Sequence, residues 1–285
     1  TSGGTEANNQ VFWSLLNQNK KHVVSDTIEH PAVLKTLTQL ATLGIDHDLV
    51  TVSEKGRVSI PGIESAIQEN TRLISIMLAN NEVGTIQPVK EITELAHEKN
   101  ILVHTDAVQC LGKMPIDVND LGVDFLSLSA HKFYGPKGIG ILYFKNRESL
   151  SSLMMGGGQE GGLRAGTENI ASIAGMGLAA ELAATRLDHH IEELRSFEAQ
   201  FKSGLHSFFP NTNFNGDVDN KLPGLVNVSF LSYRSDILLA KLDRAGMAVS
   251  SGSACGAGDV KPSGVLSEMG VDDEINISTL RFSFG

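Results

Sequence analysis

Cysteine is nearly absent from this 285-residue chain, with only Cys110 and Cys255. A chain of this length buries enough apolar surface to fold without covalent staples, so the simplest reading is two free thiols in a reducing compartment. A Cys110–Cys255 pair is the alternative. Long apolar runs are missing too: none approaches the roughly 18 residues that span a bilayer, and no basic-then-apolar leader opens the sequence. That excludes a membrane span from the reading and points to a cytoplasmic or organellar-matrix setting. No basic patch with interleaved aromatics occurs, and the net charge of −10 is spread along the chain, so no nucleic-acid partner is expected. Internal repeats, low-complexity tracts and clustered metal ligands are lacking as well.

What is present is a rhythm of short apolar runs separated by helical patterns: His22 to Ser25, Leu49 to Val52, Leu73 to Ala79, Ile101 to His104, Phe125 to Ser129 and Gly138 to Phe144. This alternation predicts an α/β domain with a mostly parallel sheet. Between the runs, Val89, Ile92, Leu95 and Ala96 recur at helical spacing over Pro88 to Lys99. From Ile170 to Phe208 a long helical stretch, with Ala and Leu on one face and Glu, Arg and Lys on the other, bridges to a second region. There, runs at Gly224 to Phe230 and Ala248 to Ser250 flank a helix at Asp236 to Ala245. The expected division is a large domain over 1–185 and a smaller α+β domain over 186–285. Both ends are abrupt, as in a fragment.

In open α/β sheets ligands bind beyond the carboxyl ends of the strands, which singles out four places. Ser2-Gly3-Gly4-Thr5-Glu6 offers small residues and a helix N-terminus to a phosphate, or else is a glycine turn with a Thr cap. Asp106 ends a strand, with Gln109 three residues on; a carboxylate there pairs with a ring nitrogen or caps a helix. Ser129-Ala130-His131-Lys132 puts a lysine at the end of another strand, where a lowered pKa would let it attack a carbonyl. A lysine, an acid and a phosphate cup at neighbouring strand ends are the three parts of a pyridoxal-phosphate site. Fourth, the tiny residues of 250–258 surround Cys255, which suits an exposed reactive thiol, whereas Cys110 between apolar neighbours suits the core.

Taken with Glu29-His30-Pro31-Ala32-Val33, Asn80-Asn81-Glu82-Val83-Gly84 and His104-Thr105-Asp106-Ala107-Val108-Gln109, these segments resemble the cysteine desulfurase family in order and spacing over essentially the whole chain. The resemblance implies a fold-type I, class V aminotransferase-like enzyme that uses pyridoxal 5′-phosphate and works as a homodimer. It further implies that Lys132 holds the cofactor covalently, Asp106 pairs with its pyridine nitrogen, Gln109 meets its phenolic oxygen and His30 stacks on its ring. Gly4, Thr5, Ser129 and His131 would hold the phosphate, completed by Thr167 from the other subunit. Asn81 and Arg281 would grip the carboxylate of L-cysteine, and Cys255 would take its sulfur as a persulfide for an acceptor such as an iron–sulfur scaffold. Measured against the family, an N-terminal segment and the last helices are missing, Gly161 stands where many members have arginine, and Gly264 stands where histidine is common. Selenocysteine lyase, another class V transaminase of the alanine–glyoxylate type, and a non-catalytic assembly module remain as alternatives. Cys255 argues against the transaminase, which has no use for a thiol there.

Overall fold

The structure, a computed structural model, describes residues 1–231, 233–251 and 261–285. The chain divides into two compact units, one of residues 1–51, 58–78 and 87–187, the other of 52–57, 79–86 and 188–285.

The first unit is built on six strands, β1 (His22–Asp26), β2 (Asp46–Val50), β3 (Thr71–Ser75), β4 (Leu102–Asp106), β5 (Phe125–Ser129) and β6 (Gly140–Phe144), in the order β2-β1-β3-β4-β5-β6. All neighbours are parallel except β6, which runs antiparallel to β5. This is the mostly parallel sheet that the alternating runs predict. β1 and β5 are buried at every position, as strands covered on both faces are, whereas β2 is an edge strand with an open Asp-His-Asp start. Those charged residues carry no apolar pattern, which is why β2 begins three residues before the apolar run at Leu49. At the other strand end, Ile76 and Leu78 continue past β3 by donating to the His104 and Asp106 carbonyls, at 3.1 and 2.9 Å. These bonds fix the main chain where β4 ends.

The helices of this unit are α1 (Gly4–Trp13), α2 (Pro31–Ala41), α3 (Ile60–Ala66), α4 (Val89–Glu98), α5 (Val118–Leu121) and α6 (Ile170–Thr185). α2 starts with proline at its first position, where no backbone donor is lost, and buries Val33, Leu37 and Leu40 at helical spacing. With Phe12 and Val11 of α1 these residues pack on Val23, Leu73 and Phe125 of the sheet. Each fully buried large side chain is worth about 1.5–3 kcal/mol relative to exposure. α6 differs, because it is apolar nearly all round and buries none of its residues; Ile170 is 74% and Leu178 58% exposed. The long helical stretch is therefore two helices, broken at Arg186, and only the second has the two-faced pattern.

In the second unit α7 (Leu187–Phe208) and α8 (Ser235–Arg244) accompany an antiparallel sheet of β7 (Thr212–Asn215), β8 (Leu225–Phe230), β9 (Ser250–Ser251) and β10 (Thr279–Ser283), ordered β7-β8-β10-β9. Val226, Val228, Phe230 and Leu280 form its core under Phe201, Leu205, Leu238 and Leu242. Two short helices, α9 (Gly264–Glu268) and α10 (Asp273–Asn276), precede β10. Among the described residues no single helix is long and apolar enough to cross a membrane.

Candidate active site

Three of the predicted residues gather at strand ends of the first unit. Asp106 closes β4 and is almost wholly buried; its Oδ2 accepts from Asn8 Nδ2 at 2.6 Å and its Oδ1 from the Val108 N–H at 3.0 Å. Burial pushes the Asp106 carboxyl above the usual carboxylate range, against the Asn8 and Val108 bonds, the charge of Lys132 and that of His30 whenever its ring is protonated. His30 caps α2, its Nδ1 accepting from the Ala32 N–H at 3.0 Å, so the ring carries its proton on Nε2. Burial, and secondarily Lys132, hold its pKa below the ordinary imidazole value although Asp106 pulls the other way, and the ring is neutral at pH 7. Lys132 is exposed at the end of the short turn Ala130–Lys132 after β5. Its charge acts on both Asp106 and His30, so acid, ring and amine share one neighbourhood.

Behind this group lie residues to which the sequence reading gave no role. Asn8 sits on the buried face of α1 with Gly4, Ala7 and Val11, and its Oδ1 is buried without a hydrogen-bond partner among the described residues. A polar side chain at that helical spacing was the available signal. Burial raises Asp26 to about 7 and Glu29 well above the usual range, the latter helped by the nearby Asp26 and Asp106. His104, bonded to Ser75 and Ser127 and edge-on to Phe12, is pushed down by burial to about 3 and stays neutral in the core.

The glycine turn lies beside Ser129. A methyl group on Gly4 would come within 2.6 Å of Val108 Cγ2, and one on Gly3 would sit 3.7 Å from Ser129 Oγ. Only glycine allows that approach at residue 4. The N-cap Gly3 has no side chain to satisfy the first N–H groups of α1, which leaves them as donors beside Ser129, whose Oγ is 2.9 Å from His131 Nδ1. Thr5 is exposed in that first turn. A phosphate finds there what it needs, namely backbone donors, a helix N-terminus and hydroxyls. Asp106 fits a protonated ring nitrogen equally well: each of its oxygens has taken one donor, a carboxylate oxygen takes two, and the site lies deep in the fold. The residues present thus suit pyridoxal 5′-phosphate.

The turn is held from outside by Glu6, which accepts from Arg164 at 2.9 and 3.3 Å and from the Ser2 N–H at 2.9 Å. Burial alone would raise Glu6, but the Arg164 and Ser2 bonds outweigh it and hold the carboxyl down to about 2. A depressed folded-state value stabilises the protein above the ordinary 4.5, and that stability is lost as pH falls toward 2. Arg164→Gln is expected to lower the Tm by about 2–4 °C at pH 7, the shift for roughly 1 kcal/mol after solvent screening. In thermal melts across pH the gap between variant and wild type should close between pH 4.5 and 2; a gap independent of pH would contradict the ion-pair account.

The remaining predicted residues are dispersed. Gln109 is partly exposed in the turn after Asp106, and Thr167 is exposed along a cleft of about 450 Å³ that it shares with Thr1 and Ser2 but not with Asp106, His30 or Lys132. Asn81 and Arg281 belong to the second unit, where Arg281 Nη1 donates to the Asn81 carbonyl at 2.9 Å. Cys255 lies outside the described residues. Cys110 is fully buried, and burial raises its thiol far out of the reactive range, as expected of a core residue.

Residues 1–285 match the family described as aminotransferase class-V. The chain belongs to that family. It is 45% identical to the cysteine desulfurase IscS of Clostridium botulinum (strain Hall) over 290 residues, covering 100% of this chain and 73% of the relative. To the cysteine desulfurase NifS of Azotobacter vinelandii it is 39% identical, covering 99% and 71%. A solved NifS-like protein superposes with a TM-score of 0.92 at 37% identity, covering 100% of this chain and 76% of that one. The structure of SspA in complex with cysteine follows at 0.82 and 35%, covering 100% and 80%. The class-V aminotransferase family member described above therefore has the fold-type I architecture that its motifs predict.

Proposed function

We propose that this class-V family member is a pyridoxal 5′-phosphate-dependent cysteine desulfurase, with residues 1–185 as the cofactor-binding domain and 186–285 as the smaller one. The observation that carries the reading is the meeting of Asp106, His30 and Lys132 at strand ends, in a chain 39–45% identical to curated cysteine desulfurases. When bound, the cofactor supplies an aldehyde for amines and a protonated ring that draws electrons from the substrate Cα.

The chain's residues divide the remaining work. Lys132 would be the residue that attaches the cofactor, and its amine, once free, would move the substrate Cα proton. Asp106 would keep the ring nitrogen protonated, His30 would face the ring as a neutral imidazole, and Gln109 would donate to the phenolic oxygen. Gly4, Thr5, Ser129 and His131 would cradle the phosphate, with Thr167 contributed by a second copy of the chain. Asn81 and Arg281 bind the substrate carboxylate. The Cys255 thiolate then attacks the substrate sulfur: a new S–S bond forms, the substrate C–S bond breaks, and its electron pair with a proton stays on the carbon that leaves as L-alanine. The persulfide is passed to an acceptor such as an iron–sulfur scaffold.

A homodimer agrees with the apolar α6 and with Met155, 81% exposed, both of which need cover in water. A cytoplasmic or organellar-matrix location completes the reading; one similar protein is a mitochondrial cysteine desulfurase of Candida albicans. The direct test is an absorbance spectrum of the cofactor-loaded protein before and after L-cysteine, with alanine quantified. The expected result is a shifted band and alanine equal to the sulfur released. An unchanged spectrum and no alanine would refute the assignment.

A further inference from the structure

Arg281, on β10, has an unfinished set of hydrogen bonds. Its Nη1 donates to the Asn81 carbonyl, while its Nε is shielded from water and has no hydrogen-bond partner among the described residues. A guanidinium engages a carboxylate through two neighbouring N–H groups, so a carboxylate close at hand belongs on that nitrogen. Glu82, next to Asn81 in sequence and near enough for the Arg281 charge to act on it, is such a group. It pairs elsewhere: its Oε2 accepts from Ser263 Oγ at 2.5 Å, and its main-chain carbonyl accepts from Asn227 Nδ2 at 3.1 Å.

Ser263 is itself clamped. Its N–H donates to Asn276 Oδ1 at 2.7 Å and its carbonyl accepts from Asn276 Nδ2 at 2.9 Å, while the hydroxyl also caps α9 by accepting from the Leu266 N–H at 3.3 Å. A buried hydroxyl fixed this firmly sets where the Glu82 carboxyl points. On the other side of Arg281, β9 pairs Ser250 with it across the ladder. The segment between Ser250 and Ser263 carries Cys255 in sequence, so both of its flanks are tied to the same guanidinium neighbourhood.

We propose that Ser263 and Glu82 are positioning residues for carboxylate recognition: Ser263 holds the Glu82 carboxyl off the guanidinium and thereby keeps the buried Arg281 Nε uncommitted for the carboxylate of an amino-acid substrate. This deepens the desulfurase reading and rests on it for the role of Arg281. Without the Ser263 hydroxyl, Glu82 turns to Arg281 and competes with substrate from within the chain.

The test is calorimetric binding to the cofactor-loaded protein, using L-alanine, which carries the carboxylate, and ethylamine, which lacks it. Ser263→Ala is expected to weaken L-alanine by about tenfold, the scale of one charge-assisted hydrogen bond, and to leave ethylamine unchanged. The KM for L-cysteine should rise in step while kcat stays within about twofold. The double variant Ser263→Ala with Glu82→Gln should recover most of the L-alanine affinity. Because it lacks the same α9 cap, recovery separates competition by Glu82 from damage to the fold. Unaltered L-alanine affinity in Ser263→Ala, an equal loss of ethylamine, or no recovery in the double variant would overturn the proposal. A wild-type protein that binds both amines but turns over no cysteine would instead refute the desulfurase reading.

Discussion

Lys132→Ala is expected to yield a protein that folds, releases pyridoxal phosphate on gel filtration and loses at least about a thousandfold in alanine formation. The size of the loss follows from the two duties of one amine, covalent attachment and movement of the Cα proton, of which the second alone contributes about 10²–10⁴-fold. Folding should survive because Lys132 is exposed and lies in a turn anchored on either side by the buried Ala130 and Phe133. The absorbance of the desalted variant, compared with wild type, provides the check. A variant that kept both the cofactor band and turnover would remove Lys132 from the mechanism.

Cys255→Ala should separate the first half of the reaction from the second. The variant keeps the cofactor, binds L-cysteine and shows the substrate-induced spectral change, yet its persulfide is absent and its alanine output drops by more than about a hundredfold, because no other thiolate is available. Cys110 cannot substitute, since its thiol is sealed in the core and held protonated by burial. Mass spectrometry after one cysteine addition should find a 32-Da adduct (the mass of one sulfur atom) on wild type and none on the variant. Sustained alanine and sulfide release by Cys255→Ala would refute the role given to this residue.

The strands and the strand-end residues were legible because both rest on local pattern. A parallel strand buried on two faces is rich in apolar residues, and its carboxyl end stands at the sheet's ligand-binding edge, where Asp106 closes β4 and Lys132 lies just past β5. What stayed hidden depended on neighbours distant in sequence. The edge strand β2 is paired on one side only and needs no apolar run. Asn8 matters only because β4 brings Asp106 to it from 98 residues away. Nothing in the sequence signals that Asp26 and Glu29 are buried together, which is what raises their pKa values. In the same way Ser263 reads as a loop serine, and 181 residues separate it from the carboxylate that it holds.

The imidazole at position 30 serves a helix as well as the proposed cofactor site. Its Nδ1 is committed to latching the first turn of α2, so acidification strong enough to protonate it also removes the acceptor on which that turn depends. Unlatching of the helix start and failure of the ring's neutral form are thereby the same titration event, and local melting at residues 31–33 should track the acid limb of any activity profile that His30 controls.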